Sequence, residues 1–352
     1  MSRPERPSAG LPAGIPRELA AEQPRTSSAV EAGRLRQQGF SLERLLAQYG
    51  IYLALLVLIV IFSVLSPAFL TADNGLSVLR QVSTVGIMAI GEAFVILAGG
   101  IDVSVGSIVG LGGMVSALAL RDYGIAPGLA ALLGLLAGLA VGVFNGLVIT
   151  KLRVDAFITT LATLSAVRGI VYIVSNQYDV RFPELAPFLF LGRGYLGPIP
   201  FPVVLLVVVT AVAWVLETRT TIGRSVHALG GNEAAARLSG IAADRMRVAT
   251  YAAAGACAGL AGVLITAQVA IAVPYQGNGS ELDVIAAVVV GGIALSGGVG
   301  SVLLAVIGAV FIGVLANGLA LLDVPNIWQM VIKGIAIVLA VGLYNVARSR
   351  RA

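Results

Sequence analysis

Ten apolar stretches follow one another between residues 51 and 346, and this succession constrains the fold more than any single motif. They centre on residues 51–69, 80–98, 103–120, 126–149, 156–175, 199–216, 248–272, 282–296, 300–322 and 327–346. Most approach the roughly twenty residues that a helix needs to cross the hydrocarbon of a bilayer. Inside lipid every backbone amide and carbonyl must find its partner within the protein, so such spans are helices. The expected fold class is therefore all-α: a polytopic membrane protein of about ten transmembrane helices, several of them broken by glycine. Composition agrees, since only 12% of the 352 residues are charged, about half the share usual in a soluble globule.

Residues 1–45 are polar, contain Pro4, Pro7, Pro12, Pro16 and Pro24, and read as a disordered cytoplasmic tail. Nothing resembling a cleavage site follows the run from Ile51, so that run is a membrane helix and not a removed signal. Residues 46–347 make the membrane domain, and residues 348–352 a basic cytoplasmic C-terminus. With the tail inside, thirteen Lys and Arg residues fall on the cytoplasmic side and four (Arg80, Arg121, Arg181, Arg193) on the other. This asymmetry places both termini and the loop at 217–247 in the cytoplasm, and the longest external loop at Asn176–Gly197. The net charge of +5 is thereby a topological signal and points to no nucleic acid.

Enzymatic readings have little to stand on. One cysteine, Cys257, and one histidine, His227, exclude a disulfide framework and a multi-ligand Cys/His metal site. There is no Gly-x-x-x-x-Gly-Lys-Ser/Thr run and no loop large enough for a nucleotide-binding domain.

The loop Glu217–Arg247 is the only long polar segment between two apolar spans that also carries helix signals. Asn232 suits an N-cap, Glu233 to Ser239 favours helix, and Gly240 suits the left-handed residue past a helix end. Glu233 and Arg237, four apart with the acid first, can pair on its surface. A helix this short is marginal alone, so the expectation is a groove on a partner that holds it; an amphipathic helix lying in the membrane interface is the alternative.

Two glycine breaks interrupt the apolar spans. In the stretch Leu97–Gly113, Gly99 and Gly100 stop a helix, Asp102 and Ser104 sit beside the break, and Gly106 and Gly110 are four apart. Irregular backbone at membrane depth survives only when buried in protein or facing a wet cavity, so Asp102 either caps freed amides or touches cargo. The second break, in Val290–Val302, partly echoes the first, which leaves open two related halves or chance. Gly134, Gly138, Gly142 and Gly146 form a ridge suited to close helix packing, with Asn145 beside it. Three further ionisable groups lie in spans: Glu92, Arg168 and Lys333. The two cations either snorkel outward, pair with Glu92 or Asp102, or hydrogen-bond whatever polar molecule enters the bundle.

Four separated stretches, in order, resemble the permease subunits of bacterial sugar-importing ABC transporters of the ribose, xylose and arabinose branch. Gly99–Gly106 resembles that family's GGIDLSVG motif. Residues 145–169 resemble its turn between the fourth and fifth spans, and 327–341 a stretch of its last span. Gly230 to Ile241 resembles its GGN-x-x-AAR-x-SGI coupling segment. The resemblance implies a non-enzymatic membrane subunit importing a monosaccharide or related polyol. Gly230, Gly231, Asn232, Glu233, Ala234, Ala235, Arg237, Leu238, Ser239 and Gly240 would dock an ATPase subunit. Gly99, Gly100, Asp102, Ser104, Gly106, Asn145 and Lys333 are the expected translocation-pathway residues. It further implies a second or paralogous permease, a periplasmic or lipid-anchored sugar-binding protein, a bacterial inner-membrane location, and ATP with magnesium held only by the ATPase. An ion-coupled secondary transporter, and an ABC permease for nucleosides or branched-chain amino acids, remain the alternatives.

Overall fold

The structure, a computed structural model, describes residues 42–349. The expected tail falls outside the described residues as far as residue 41, as do the last three residues of the basic C-terminus. Residues 1–48 and 49–352 are separate units by contact, and the helical body belongs to the second.

The described residues form thirteen α-helices, a π-helical turn (Val148–Leu152) that continues α4, and four two-residue strands. In order the helices are α1 (Leu42–Leu65), α2 (Ala72–Leu97), α3 (Val105–Tyr123), α4 (Pro127–Leu147), α5 (Ala156–Ser175), α6 (Ala186–Arg193) and α7 (Phe201–Arg219). They continue with α8 (Thr221–Gly231), α9 (Glu233–Leu238), α10 (Ala243–Val269), α11 (Ser280–Gly291), α12 (Val302–Leu321) and α13 (Asn326–Ser349). Seven of these, α2, α3, α4, α5, α7, α10 and α12, are long and apolar enough to cross a membrane. The first and last expected spans coincide with α1 and α13.

The eighth expected span needs correction. Only the twelve residues of α11 are helical there, ended by Gly292 at φ 108°. At 1.5 Å per residue that is about 18 Å, short of the roughly 30 Å of hydrocarbon, so α11 is a half-helix. Hydropathy missed this because the apolar run continues through Ile293 and Leu295 after the helix has stopped.

Local chemistry sets the element ends. Thr71, Asp155 and Ser301 cap α2, α5 and α12 with their side-chain oxygens. Gly124, at φ 58°, closes α3. At the end of the bundle away from α8 and α9, β1 (Val180–Arg181) pairs antiparallel with β4 (Ile271–Ala272), while β2 (Tyr195–Leu196) and β3 (Ile199–Pro200) make a hairpin turning at Gly197.

Helix α10 occupies the centre, packed on α2, α3, α4 and α6. Its contact with α4 is glycine against glycine. A Cβ added at Gly138 would lie 2.3 Å from the Gly255 carbonyl oxygen, and one at Gly142 2.1 Å from that of Tyr251. The ridge read from sequence is this interface. Arg168 donates to the carbonyls of Pro274, Gln276 and Gly106, and Lys333 pairs with Asp283 at 2.7 Å. Neither cation pairs with Glu92 or Asp102, the alternative the sequence left open; apart from Gly106 on α3, their partners lie on or just before α11, the element that sequence misjudged.

Candidate functional site

The polar loop folds as two helices, not one. Thr220 caps α8 by accepting from the Ile222 amide, and Asn232 caps α9 by accepting from the Ala235 amide at 2.9 Å. Gly240 follows α9 with φ 82°. Helix α8 escaped the sequence reading because Thr221–Gly231 mixes glycine and β-branched residues; burial of Gly223, Val226 and Leu229 holds it.

A charge network braces α9 from within the chain. Arg237 donates to Glu233 and, at 2.5 Å, to Asp244; Arg247 donates to Glu233 at 2.7 Å. Arg247 and then Arg237 hold the Glu233 carboxyl below its ordinary range. The short helix therefore has internal support, where sequence alone demanded a partner's groove. Its outer surface carries Leu238 at 91% exposure.

Inward from α9 the loop meets both glycine breaks. The Gly298 amide donates to the Leu97 carbonyl at 2.9 Å, joining the second break to the end of α2. Gly230 lies directly on that bond: a Cβ there would fall 1.9 Å from the Leu97 oxygen and 2.5 Å from the Gly298 nitrogen. Gly297 approaches both Gly99 and Gly230 at about the same closeness, near 3 Å from a built Cβ. Only backbone fits at Gly230, Gly297 and Gly298, and Gly99 reaches them with φ 79°, a conformation that favours glycine.

Beside it, Glu217 accepts from the Ser301 hydroxyl and the Val302 amide, at the N-terminus of α12 where an anion is favoured. His227 touches Glu217 through Nε2 at 3.3 Å and the Gly298 carbonyl through Nδ1 at 3.1 Å. The contact with Glu217 raises the imidazole pKa, against a smaller opposing effect of burial. Because the folded value lies above the ordinary one, about 6.5, the contact stabilises fully below that pH and is lost as pH rises through the folded value. The wild-type protein should thus lose thermal stability over that window, and His227→Gln should flatten the loss; parallel curves for the two would show the latch to be energetically silent.

A second polar assembly lies within the bundle. The Asp102 carboxylate oxygen Oδ1 accepts from the Ser104 amide at 2.8 Å and from its hydroxyl at 2.5 Å. Asn145 donates to Ser104 Oγ and accepts from Thr163, which runs the chain across α3, α4 and α5. The Asp102 amide donates to Glu92 at 3.0 Å. Asp102, Ser104, Asn145 and Glu92 are all fully buried; Asp102 holds Ser104, the N-cap residue of α3, whose own side chain makes no cap hydrogen bond to the helix. Tyr251 closes the break by donating to the Ile101 carbonyl, against Gly100.

Thus the expected pathway residues divide. Asp102, Ser104 and Asn145 come together; Gly106 lies against Glu281 and Gly277; Lys333 lies apart with Asp283. Gly99 alone opens onto a cavity of about 710 Å³, which Arg153, Asp155, Glu233, Arg237, Asp244 and Arg247 also line. The docking residues divide too: Gly230 faces the breaks while Leu238 faces out. Among the described residues, no group of three His, Cys, Asp or Glu could hold a metal. Sequence reasoning did not find the roles of Glu217, Tyr251, Thr163 and Gly298; the GSV run at Gly300–Val302 after a glycine break was the one available sign of a helix start for Glu217 to cap.

Residues 74–341 match the family described as Branched-chain amino acid transport system / permease component. The ribose import permease protein of Haemophilus influenzae is 42% identical over 86% of this chain and 94% of its own length. That of Bacillus subtilis is 42% identical over 89% and 97%. The D-allose transport system permease protein of Escherichia coli is 39% identical over 84% and 91%. No solved structure matches the chain.

Proposed function

This chain belongs to the Branched-chain amino acid transport system / permease component family, and on that premise we propose that it is the membrane-spanning subunit of an ATP-driven importer for a monosaccharide. The aldoses named for its relatives, ribose, D-allose and xylose, support that cargo class over nucleosides and amino acids. Family membership also favours an ABC system over an ion-coupled carrier. In this reading α8 and α9 lie in the cytoplasm with both termini, in the inner membrane of a bacterium. A second permease copy or paralogue, an ATPase holding ATP and magnesium, and a sugar-binding protein on the outer side complete the machine. ATP binding closes the ATPase pair, and the docked loops carry that motion into the bundle, tilting rigid bodies to switch access.

The observation that carries the proposal is the pairing, on one short helix, of an internally braced base with an exposed Leu238. An apolar side chain left bare on a rigid cytoplasmic projection is a surface for a partner's apolar pocket, where a single central anchor contributes 2 kcal/mol or more, on the order of a thirtyfold change in affinity. Leu238→Asp is accordingly expected to reduce co-purification of the ATPase at least tenfold, with permease abundance unchanged. Full retention of the ATPase by that variant would remove α9 as the docking element.

A further inference from the structure

Glu92 on α2 and Asp102 in the first break are both completely buried, and each has one carboxyl oxygen, Glu92 Oε2 and Asp102 Oδ2, with no hydrogen-bond partner. Their other oxygens are engaged. Glu92 Oε1 accepts from the Asp102 amide, and Asp102 Oδ1 accepts twice from Ser104. The first of these bonds holds the Glu92 carboxyl against the Asp102 residue itself.

The surroundings offer no compensating charge. From the N-cap of α3 comes the Ser104 hydroxyl, from α4 Asn145, from α5 Thr160 and Thr163, and from α10 Tyr251, whose hydroxyl is directed to the Ile101 carbonyl. All are neutral. Among the described residues no Lys, Arg or His forms an ion pair with either acid; the pairs formed lie elsewhere, at Glu217, Glu233, Asp244, Asp283 and Asp122. The two cations that sequence offered as partners, Arg168 and Lys333, are bound elsewhere.

Two carboxylates cannot both stay ionised in such a place. Removing one charge from water is unfavourable without a counter-charge, and a second charge of the same sign beside it adds repulsion. One proton resolves both difficulties: it neutralises one acid and supplies the donor that the orphan oxygens lack. We propose that Glu92 and Asp102 form a proton-binding site in which the pair carries one proton at neutral pH, shared between them and not assignable to either alone.

The site lies beside the mechanical junction, since Asp102 is three residues from Gly99, which touches the second break and the loop. Binding of the proton keeps α2 and the first break together as one body. Losing it sets two like charges against each other there.

Infrared spectroscopy of the purified full-length chain tests this. At pH 8, where exposed carboxyls are ionised, the wild type is expected to show the carbonyl stretch of a protonated carboxylic acid buried from solvent exchange. Glu92→Gln should lose it. The amide oxygen still accepts from the Asp102 backbone, the amide NH₂ donates to the orphan Asp102 oxygen, and Asp102 then ionises. The double variant Glu92→Gln with Asp102→Asn supplies the blank spectrum. No such band in the wild type, with a melting temperature that depends on sodium, would show that a metal ion occupies the pair and would overturn the proposal. A band that survives in Glu92→Gln and vanishes only in the double variant would place the proton on Asp102 alone, and would overturn the pair.

Discussion

Gly138→Leu is expected to leave no monodisperse protein after extraction from the membrane, whereas Gly128→Leu on the same helix is expected to be tolerated. The two glycines differ in what surrounds them. At Gly128 an added Cβ meets nothing within 4 Å. At Gly138 it meets the Gly255 carbonyl oxygen at 2.3 Å and the Gly259 Cα and nitrogen at 2.8 and 2.9 Å. These are backbone atoms, so no rotamer change relieves the clash and α4 must move away from α10. That movement cannot stay local, because Gly142 and Gly146 seat on the backbone of the same partner helix at comparable closeness, while Gly134 is held against Ser116 and Gly112 of α3. Overfilling a packed interior by a methylene costs about 1–3 kcal/mol. Leucine adds four carbons, and separating the ridge forfeits contacts along all of α4, against a total stability of about 5–15 kcal/mol. Helix association in lipid lacks a hydrophobic drive and rests on this contact. Size-exclusion profiles of both variants decide the matter; a normal peak for Gly138→Leu would mean that α4 and α10 do not meet as described.

That ridge shows what the chain's sequence makes legible. Four glycines at a spacing of four can have one physical use in a helix, so the existence of a close backbone partner follows directly. Which helix it is does not, because glycine records proximity and not identity. The same limit governs the breaks. GGI followed by serine, at Gly99 and again at Gly291, marks where helices stop, yet only the structure shows that both stops meet Gly230. Capping residues are the most readable class: Asn232 and Gly240 stand where local hydrogen bonding requires. Long-range polar partners are the least readable. Lys333 and Asp283 are fifty residues apart and Glu217 and Val302 eighty-five, and pairing at such range leaves no periodic trace. Helix α11 shows that hydropathy measures the apolarity of a run and is blind to where it ceases to be helical.

Gly230→Ala is expected to uncouple the machine while leaving it assembled. In the proposed function the ATPase pushes on α9, and the push must reach the bundle by some solid path. The contacts offer one. Helix α9 follows α8 through the single residue Asn232, and the end of α8 bears at Gly230 on the hydrogen bond between Gly298 and Leu97. One side of that bond is the end of α2, the other the loop before α12, so a displaced Gly230 moves both breaks together. Glu217 and His227 fasten the same α8 to the start of α12. A methyl group at Gly230 would sit within 2 Å of a carbonyl oxygen that cannot rotate away, prising the loop from its seat without altering Leu238 or the charge network on the outside. The assembled complex should then bind its ATPase and hydrolyse ATP normally, with sugar uptake reduced tenfold or more, a loss of about 1.4 kcal/mol or greater in the energetics of coupling. Gly231→Ala, whose Cβ meets nothing within 4 Å, should transport as the wild type does, which separates an effect of the junction from a general intolerance of the Gly-Gly pair. Equal uptake by both variants would show that force enters the bundle by another route, and the arginines lining the 710 Å³ cavity, between α9 and the start of α5, would then be the place to look for it.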